Sequence, residues 1–89
     1  MPDNSGLILY TLEHCPNCEM LKVFLQSNGK IFSERDMSTA ESLTELRLNG
    51  IFTNEAPVLQ NGDEFFTSAL LFSRGKLDTA QIIGFISGA

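Results

Sequence analysis

Residues 7–18 read Leu7-Ile8-Leu9-Tyr10-Thr11-Leu12-Glu13-His14-Cys15-Pro16-Asn17-Cys18. The first five form a short apolar run of the kind that fills a buried strand. Beyond Cys18, Met20, Leu21, Phe24 and Leu25 recur at helical spacing, leaving Glu19, Lys22 and Gln26 for the wet face. A strand over 7–11, a turn over 12–14 and a helix from Pro16 to about Ser27 follow. Pro16 suits the first helical position, where a missing N–H costs nothing and φ is already helical. Asn28-Gly29 ends the helix, with glycine fitted to the left-handed cap.

Cys15 and Cys18 are the only cysteines in the chain. A cysteine at the mouth of a helix meets unpaired backbone N–H groups and the positive end of the dipole, both of which favour the thiolate. The thiolate is the nucleophile in thiol–disulfide chemistry. Cys15 is therefore assigned as the attacking residue. Cys18, three positions on and on the same helix face, is placed to resolve a mixed disulfide formed at Cys15. Tetrahedral zinc is the first competing use of a CxxC pair, but zinc needs about four ligands. The chain supplies two Cys and one His, and His14 adjoins Cys15. A static structural disulfide is the second, and a loop this short would constrain little chain.

Eighty-nine residues fit one domain, taken as residues 1–89. A net charge of −5 argues against nucleic acid, whose affinity rests on Lys and Arg against phosphate. No apolar run is long enough for a membrane helix. Residues 1–6 are polar, end in glycine and carry neither the basic nor the apolar part of an export leader. A loose end, a reducing cytoplasm and a monomer are expected, and in that compartment a dithiol is catalytic or redox-sensing.

Residues 31–36 read as a second strand nearer a sheet edge, so strand–helix–strand forms a right-handed parallel crossover. Ser38 or Thr39 caps the next helix. Leu43, Leu46 and Leu48 are expected to face inward, and Asn49-Gly50 to end it. After a loop over 51–55, residues 56–60 (Ala56-Pro57-Val58-Leu59-Gln60) form a strand headed by proline. Asn61-Gly62 signals a hairpin, read as a type I′ turn, with residues 64–67 returning antiparallel. Residues 68–74 suit a short helix broken by Gly75. Asp78 or Thr79 caps a last helix carrying Ile82, Ile83, Phe85 and Ile86, and Gly88-Ala89 ends the chain. The order defines an α/β domain: a βαβ unit, a second helix and a β-hairpin in a four-stranded mixed sheet, with helices on both faces. Tyr10 reads as a core aromatic with a wet hydroxyl. Phe65 and Phe66 alternate across their strand, and an outward Phe66 is the candidate for an apolar rim beside the dithiol. Glu41, Glu45, Glu55, Asp63 and Glu64 read as solvated surface, as does Glu13. His14 is a candidate tuner of the thiol.

Tyr10-Thr11 followed by Cys15-Pro16-Asn17-Cys18, together with Ala56-Pro57-Val58-Leu59, resembles the glutaredoxin branch of the thioredoxin superfamily over about residues 7–87. The resemblance implies the thioredoxin fold and a dithiol–disulfide oxidoreductase acting through Cys15 and Cys18, with no tightly bound cofactor beyond that redox pair. It implies that Pro57 is a cis-proline facing the CxxC. Ala56 would then offer backbone groups to an extended substrate. Pro16, Ala56, Pro57, Thr67 and Ser68 form the implied substrate-binding set. The implied partners are a protein disulfide as substrate and a thioredoxin-type reductase or a low-molecular thiol as donor.

The chain departs from the glutathione-using pattern at three places. Leu12 stands where those proteins carry Lys, Asn17 stands where an aromatic is common, and Phe66-Thr67-Ser68-Ala69 replaces Gly-Gly and an acidic cap. The pattern is more similar to the glutaredoxin-like redoxins that serve ribonucleotide reductase, with glutathione kept as an alternative ligand. Two other functions stand beside the oxidoreductase reading. One is an iron–sulfur or metal-carrying module bridged through Cys15 of two chains. The other is an interaction domain whose oxidation state switches partner binding.

Overall fold

Strand β1 (Leu7–Thr11) lies in the middle of the molecule because both of its faces are apolar. Leu7 and Leu9 point to one side, where they join Leu59, Leu21, Leu25, Leu71, Ile82 and Ile86 in one buried cluster. Tyr10 points to the other, packing with Met37, Leu46 and Val58. The period-2 alternation of a strand thus feeds two cores at once. The structure, a computed structural model, describes residues 6–53 and 55–87. Apart from Gly6, the expected loose N-terminal end lies outside the described residues, as do Gly88 and Ala89.

Nine further elements follow: α1 (Pro16–Ser27), β2 (Ser33–Asp36), α2 (Ala40–Leu48), β3 (Val58–Asn61), β4 (Glu64–Phe66), α3 (Ser68–Leu71), β5 (Phe72–Ser73), β6 (Lys76–Leu77) and α4 (Thr79–Ile86). The main sheet runs β2-β1-β3-β4. β1 pairs parallel with β2, Thr11 opposite Asp36, and antiparallel with β3, Tyr10 opposite Val58. β3 and β4 close an antiparallel hairpin. Helices α1, α3 and α4 supply the first core cluster and α2 the second, so helices cover both faces of a four-stranded mixed sheet, as expected. No helix among the described residues is long and apolar enough to cross a membrane.

Several local expectations are corrected. The second strand begins at Ser33, with Ile31 left 79% exposed, and all four β2 side chains are exposed. Leu48 does not face inward: it is 82% exposed at the last position of α2. Leu46 and Leu48 are two positions apart, about 200° around a helix, and Leu46 already occupies the core side. Met20 is similarly turned out at the edge of its stripe, 41% exposed. Thr39, not Ser38, caps α2, its hydroxyl accepting from the Ser42 N–H. Asp78 caps α4 through the Gln81 N–H.

The hairpin turn sits one residue later than expected. Asn61 pairs with Glu64, so the two loop residues are Gly62 and Asp63. Only Gly62 has a positive φ, +62°, which is the type II′ pattern with glycine first and not type I′. The helix expected over 68–74 stops at Leu71. Phe72 to Leu77 instead folds into a miniature hairpin, β5–β6, forming a second two-stranded sheet. Its loop residues, Arg74 and Gly75, both have positive φ (54° and 77°), the type I′ pattern. Phe65 and Phe66 are both half-buried, on opposite faces. Phe66 is no exposed rim: its ring stacks on Phe85 of α4, centroids 3.9 Å apart.

Candidate redox site

The turn between β1 and α1 places the two cysteines. His14 takes a left-handed backbone conformation, φ 55°, that swings the chain from the strand into the helix. Cys15 is the N-cap of α1 in an extended conformation, and Pro16 is the first helical residue. The Cys15 sulfur accepts the Cys18 backbone N–H at 3.1 Å, occupying one of the donors a helix start leaves open. Cys15 and Cys18 form a disulfide, Cα–Cα 5.2 Å. Cys18 is 1% exposed, while Cys15 is half-buried and reaches the surface. Of the two sulfurs, only that of Cys15 is placed for an incoming group to approach.

The loop before β3 meets the same sulfur. The Ala56-Pro57 peptide bond is cis, and the Ala56 carbonyl oxygen lies 3.8 Å from Cys15 Sγ. Pro57 is buried and Ala56 half-buried. Pairing of β3 with β1 causes this approach: Tyr10 and Val58 are register partners, so the residues just beyond them at that end of the sheet lie side by side. Thr67 and Ser68 sit elsewhere in the network. Thr67 is the N-cap of α3 through its carbonyl, which accepts the Leu70 and Leu71 N–H groups, and its side chain makes no cap bond. Among the described residues, no hydrogen bond ties Thr67 or Ser68 to either cysteine.

Cys15 opens onto a groove of ≈ 820 Å³ lined by Thr11, Leu12, Glu13, His14, Pro16, Glu19, Glu34 and Asp36. Glu34 and Asp36 enter it because β2 runs parallel beside β1, an adjacency that residues 31–36 alone do not reveal. Lys22 bridges Glu19 and Glu34 at 3.2 and 3.1 Å, which raises its pKa. Thr11 Oγ1 donates to Glu34 Oε2 at 3.0 Å. The Ser38 hydroxyl and N–H both donate to the Asp36 carboxylate and hold its pKa down. The His14 side chain is 94% exposed, 3.9 Å from Glu13 and free of any described bond to Cys15.

A second polar cluster braces the far side of β1. The Tyr10 hydroxyl is not wet: the residue is fully buried, 2.8 Å from a Glu45 carboxylate oxygen and 3.0 Å from the Gln60 side-chain oxygen. Burial, then the bond to Glu45, push its pKa up to about 12. Glu45 also pairs with Arg35. Its carboxyl is held below the ordinary range, chiefly by the Tyr10 hydrogen bond and then by Arg35. Glu45 is therefore a connector between α2, β1 and β2, not the plain solvated carboxylate its position in an acidic helix suggests.

Comparison with protein-family models returns no match. Comparison with curated proteins returns none either.

Proposed function

We propose that the protein is a dithiol–disulfide oxidoreductase of the glutaredoxin-like type, built on the thioredoxin fold. The observation that carries this reading is the Cys15–Cys18 disulfide seated at the start of α1, with Cys15 facing a groove and Cys18 beneath it. The sheet order and the Ala56 carbonyl held beside Cys15 support it.

In the reduced protein the helix start favours the Cys15 thiolate. That thiolate attacks one sulfur of a substrate disulfide. A Cys15–substrate disulfide forms, and the first substrate thiolate leaves and takes a proton from water. The Cys18 thiol loses its proton and attacks Cys15 Sγ. The Cys15–Cys18 bond forms as the second substrate thiolate departs and is protonated. Two electrons have then passed from the protein to the substrate; of the two protons the substrate thiols gain, one balances that released by Cys18 and the other is drawn from water. An external thiol or a reductase returns the pair to the dithiol. Ala56, with its backbone at Cys15, and Pro16 and Pro57 around the sulfur form the surface on which the substrate chain lies. Thr67 and Ser68 are kept as outer members of that surface. The acidic chain acts as a monomer in a reducing compartment, the cytoplasm.

The test is which donor reduces the oxidised pair. Free thiols are counted after NADPH is supplied with glutathione and its reductase, and separately with thioredoxin reductase. Reduction by either supports the reading and names the donor class. Failure with both, together with no reduction of insulin disulfides by the dithiothreitol-reduced protein, overturns it.

A further inference from the structure

We infer that the Cys15 groove selects disulfides carried on basic segments, with Lys or Arg flanking the target cysteine. The inference rests on the oxidoreductase reading, which already makes this groove the place where a substrate chain lies.

Four carboxylates, Glu13, Glu19, Glu34 and Asp36, line the groove together with Cys15. One cation, Lys22, contacts two of them, yet it is itself only 23% exposed and shared between Glu19 and Glu34. Glu13, by contrast, is 90% exposed, with the His14 ring 3.9 Å from its carboxylate. The lining therefore offers four carboxylates and one imidazole, that of His14, while Lys22 bridges two of the carboxylates from outside it. The whole chain, at −5, adds to that field and does not offset it. Clefts lined by one sign of charge concentrate the opposite sign and raise encounter rates by about 10–1,000-fold. Charge near an encounter surface acts on association and on partner choice more than on the chemical step. An anionic disulfide meets repulsion before it reaches Cys15, whereas a cationic one is drawn to the sulfur.

The experiment uses the full chain reduced with dithiothreitol and freed of excess reductant. Two nonapeptide disulfide dimers are compared, identical except for Lys or Glu on each side of the cysteine. Each second-order rate constant is divided by that of dithiothreitol with the same peptide, which removes the peptides' intrinsic reactivity. At ~10 mM ionic strength the Lys peptide is expected to be reduced at least ~10-fold faster than the Glu peptide. The ratio falls toward one at ~1 M salt, where the Debye length is about 3 Å. The double variant Glu13→Gln with Glu19→Gln narrows the low-salt ratio. Equal corrected rates for the two peptides, or a ratio indifferent to salt and to the double variant, overturn the charge selection while leaving the oxidoreductase reading standing. Reduction of neither peptide overturns both.

Discussion

Ala56 and Cys15 lie 41 positions apart, yet the Ala56 carbonyl oxygen sits 3.8 Å from Cys15 Sγ. One atom of the loop before β3 is thereby held against the sulfur that α1 presents. The arrangement puts a backbone carbonyl and a sulfur side by side, which suits the proposed reaction, in which an extended chain would lie against that edge while its disulfide is attacked.

Substitution of the two cysteines separates their roles. Cys15→Ser keeps an N-cap oxygen for the Cys18 N–H, so the fold is retained while disulfide reduction falls to the level of buffer. Cys18→Ser leaves Cys15 able to attack but nothing to resolve the product. A covalent Cys15–substrate adduct is expected by mass spectrometry, lost on adding dithiothreitol. Activity retained in Cys15→Ser would remove the nucleophile assignment.

Tyr10 gives the protein an alkaline limit. With its pKa raised to about 12 from an ordinary 10.0, the folded state keeps a proton that the unfolded chain has released. Stability is therefore whole below pH 10 and declines between pH 10 and about 12, by roughly 2–3 kcal/mol for a shift of this size. Glu45 works in the opposite direction: its lowered pKa adds stability above the ordinary 4.5, lost as pH falls through the depressed folded value. Tyr10→Phe should cost about 1–2 kcal/mol at pH 7. It should also flatten the Tyr10 share of the alkaline slope, both read from urea midpoints across pH.

The hairpin turn separates two neighbouring positions. Gly62, at φ +62°, is in a region that a side chain resists, whereas Asp63 lies outside that region. Gly62→Ala is expected to destabilise by about 1–3 kcal/mol, and Asp63→Ala by less than about 0.5 kcal/mol. Similar losses at both positions would point to a type I′ turn instead.

Two leucines of α2 should behave as opposites. Leu46, 1% exposed, packs on Tyr10, Met37 and Val58, and Leu46→Ala should cost about 2–5 kcal/mol through the cavity it leaves. Leu48→Lys, at an 82% exposed position, should move stability by no more than about 0.5 kcal/mol. Thermal midpoints of the pair report this directly.

What the sequence made legible was what local physics decides. The apolar run of β1, the Pro16 helix start, Asn28-Gly29 and the CxxC spacing each act within a few residues, and the structure places them as read. Misreadings arose where a distant partner decides. Leu48 has an apolar side chain like Leu46, and only the position of the sheet says which one is covered. Glu45 looks like any helix-surface carboxylate until β1 and β2 bring Tyr10 and Arg35 beside it. Glu34 and Asp36 reach the Cys15 groove through strand pairing, which residues 31–36 do not encode on their own. Residues 72–77 misled for another reason: Arg74 adopts the left-handed region without being glycine, so only half of that type I′ turn is visible as a residue type.

Strand β2 has one further consequence. It forms an outer edge of the main sheet, and Ser33, Glu34, Arg35 and Asp36 are all exposed. An open edge is a template on which another molecule's strand can stack, and charges along it discourage that stacking. Glu34 is tethered to Lys22 and Thr11, and Arg35 to Glu45, so these charges are held in place and do not swing freely. The same tethers thus hold charge in place along this edge, where it opposes the pairing of a further strand.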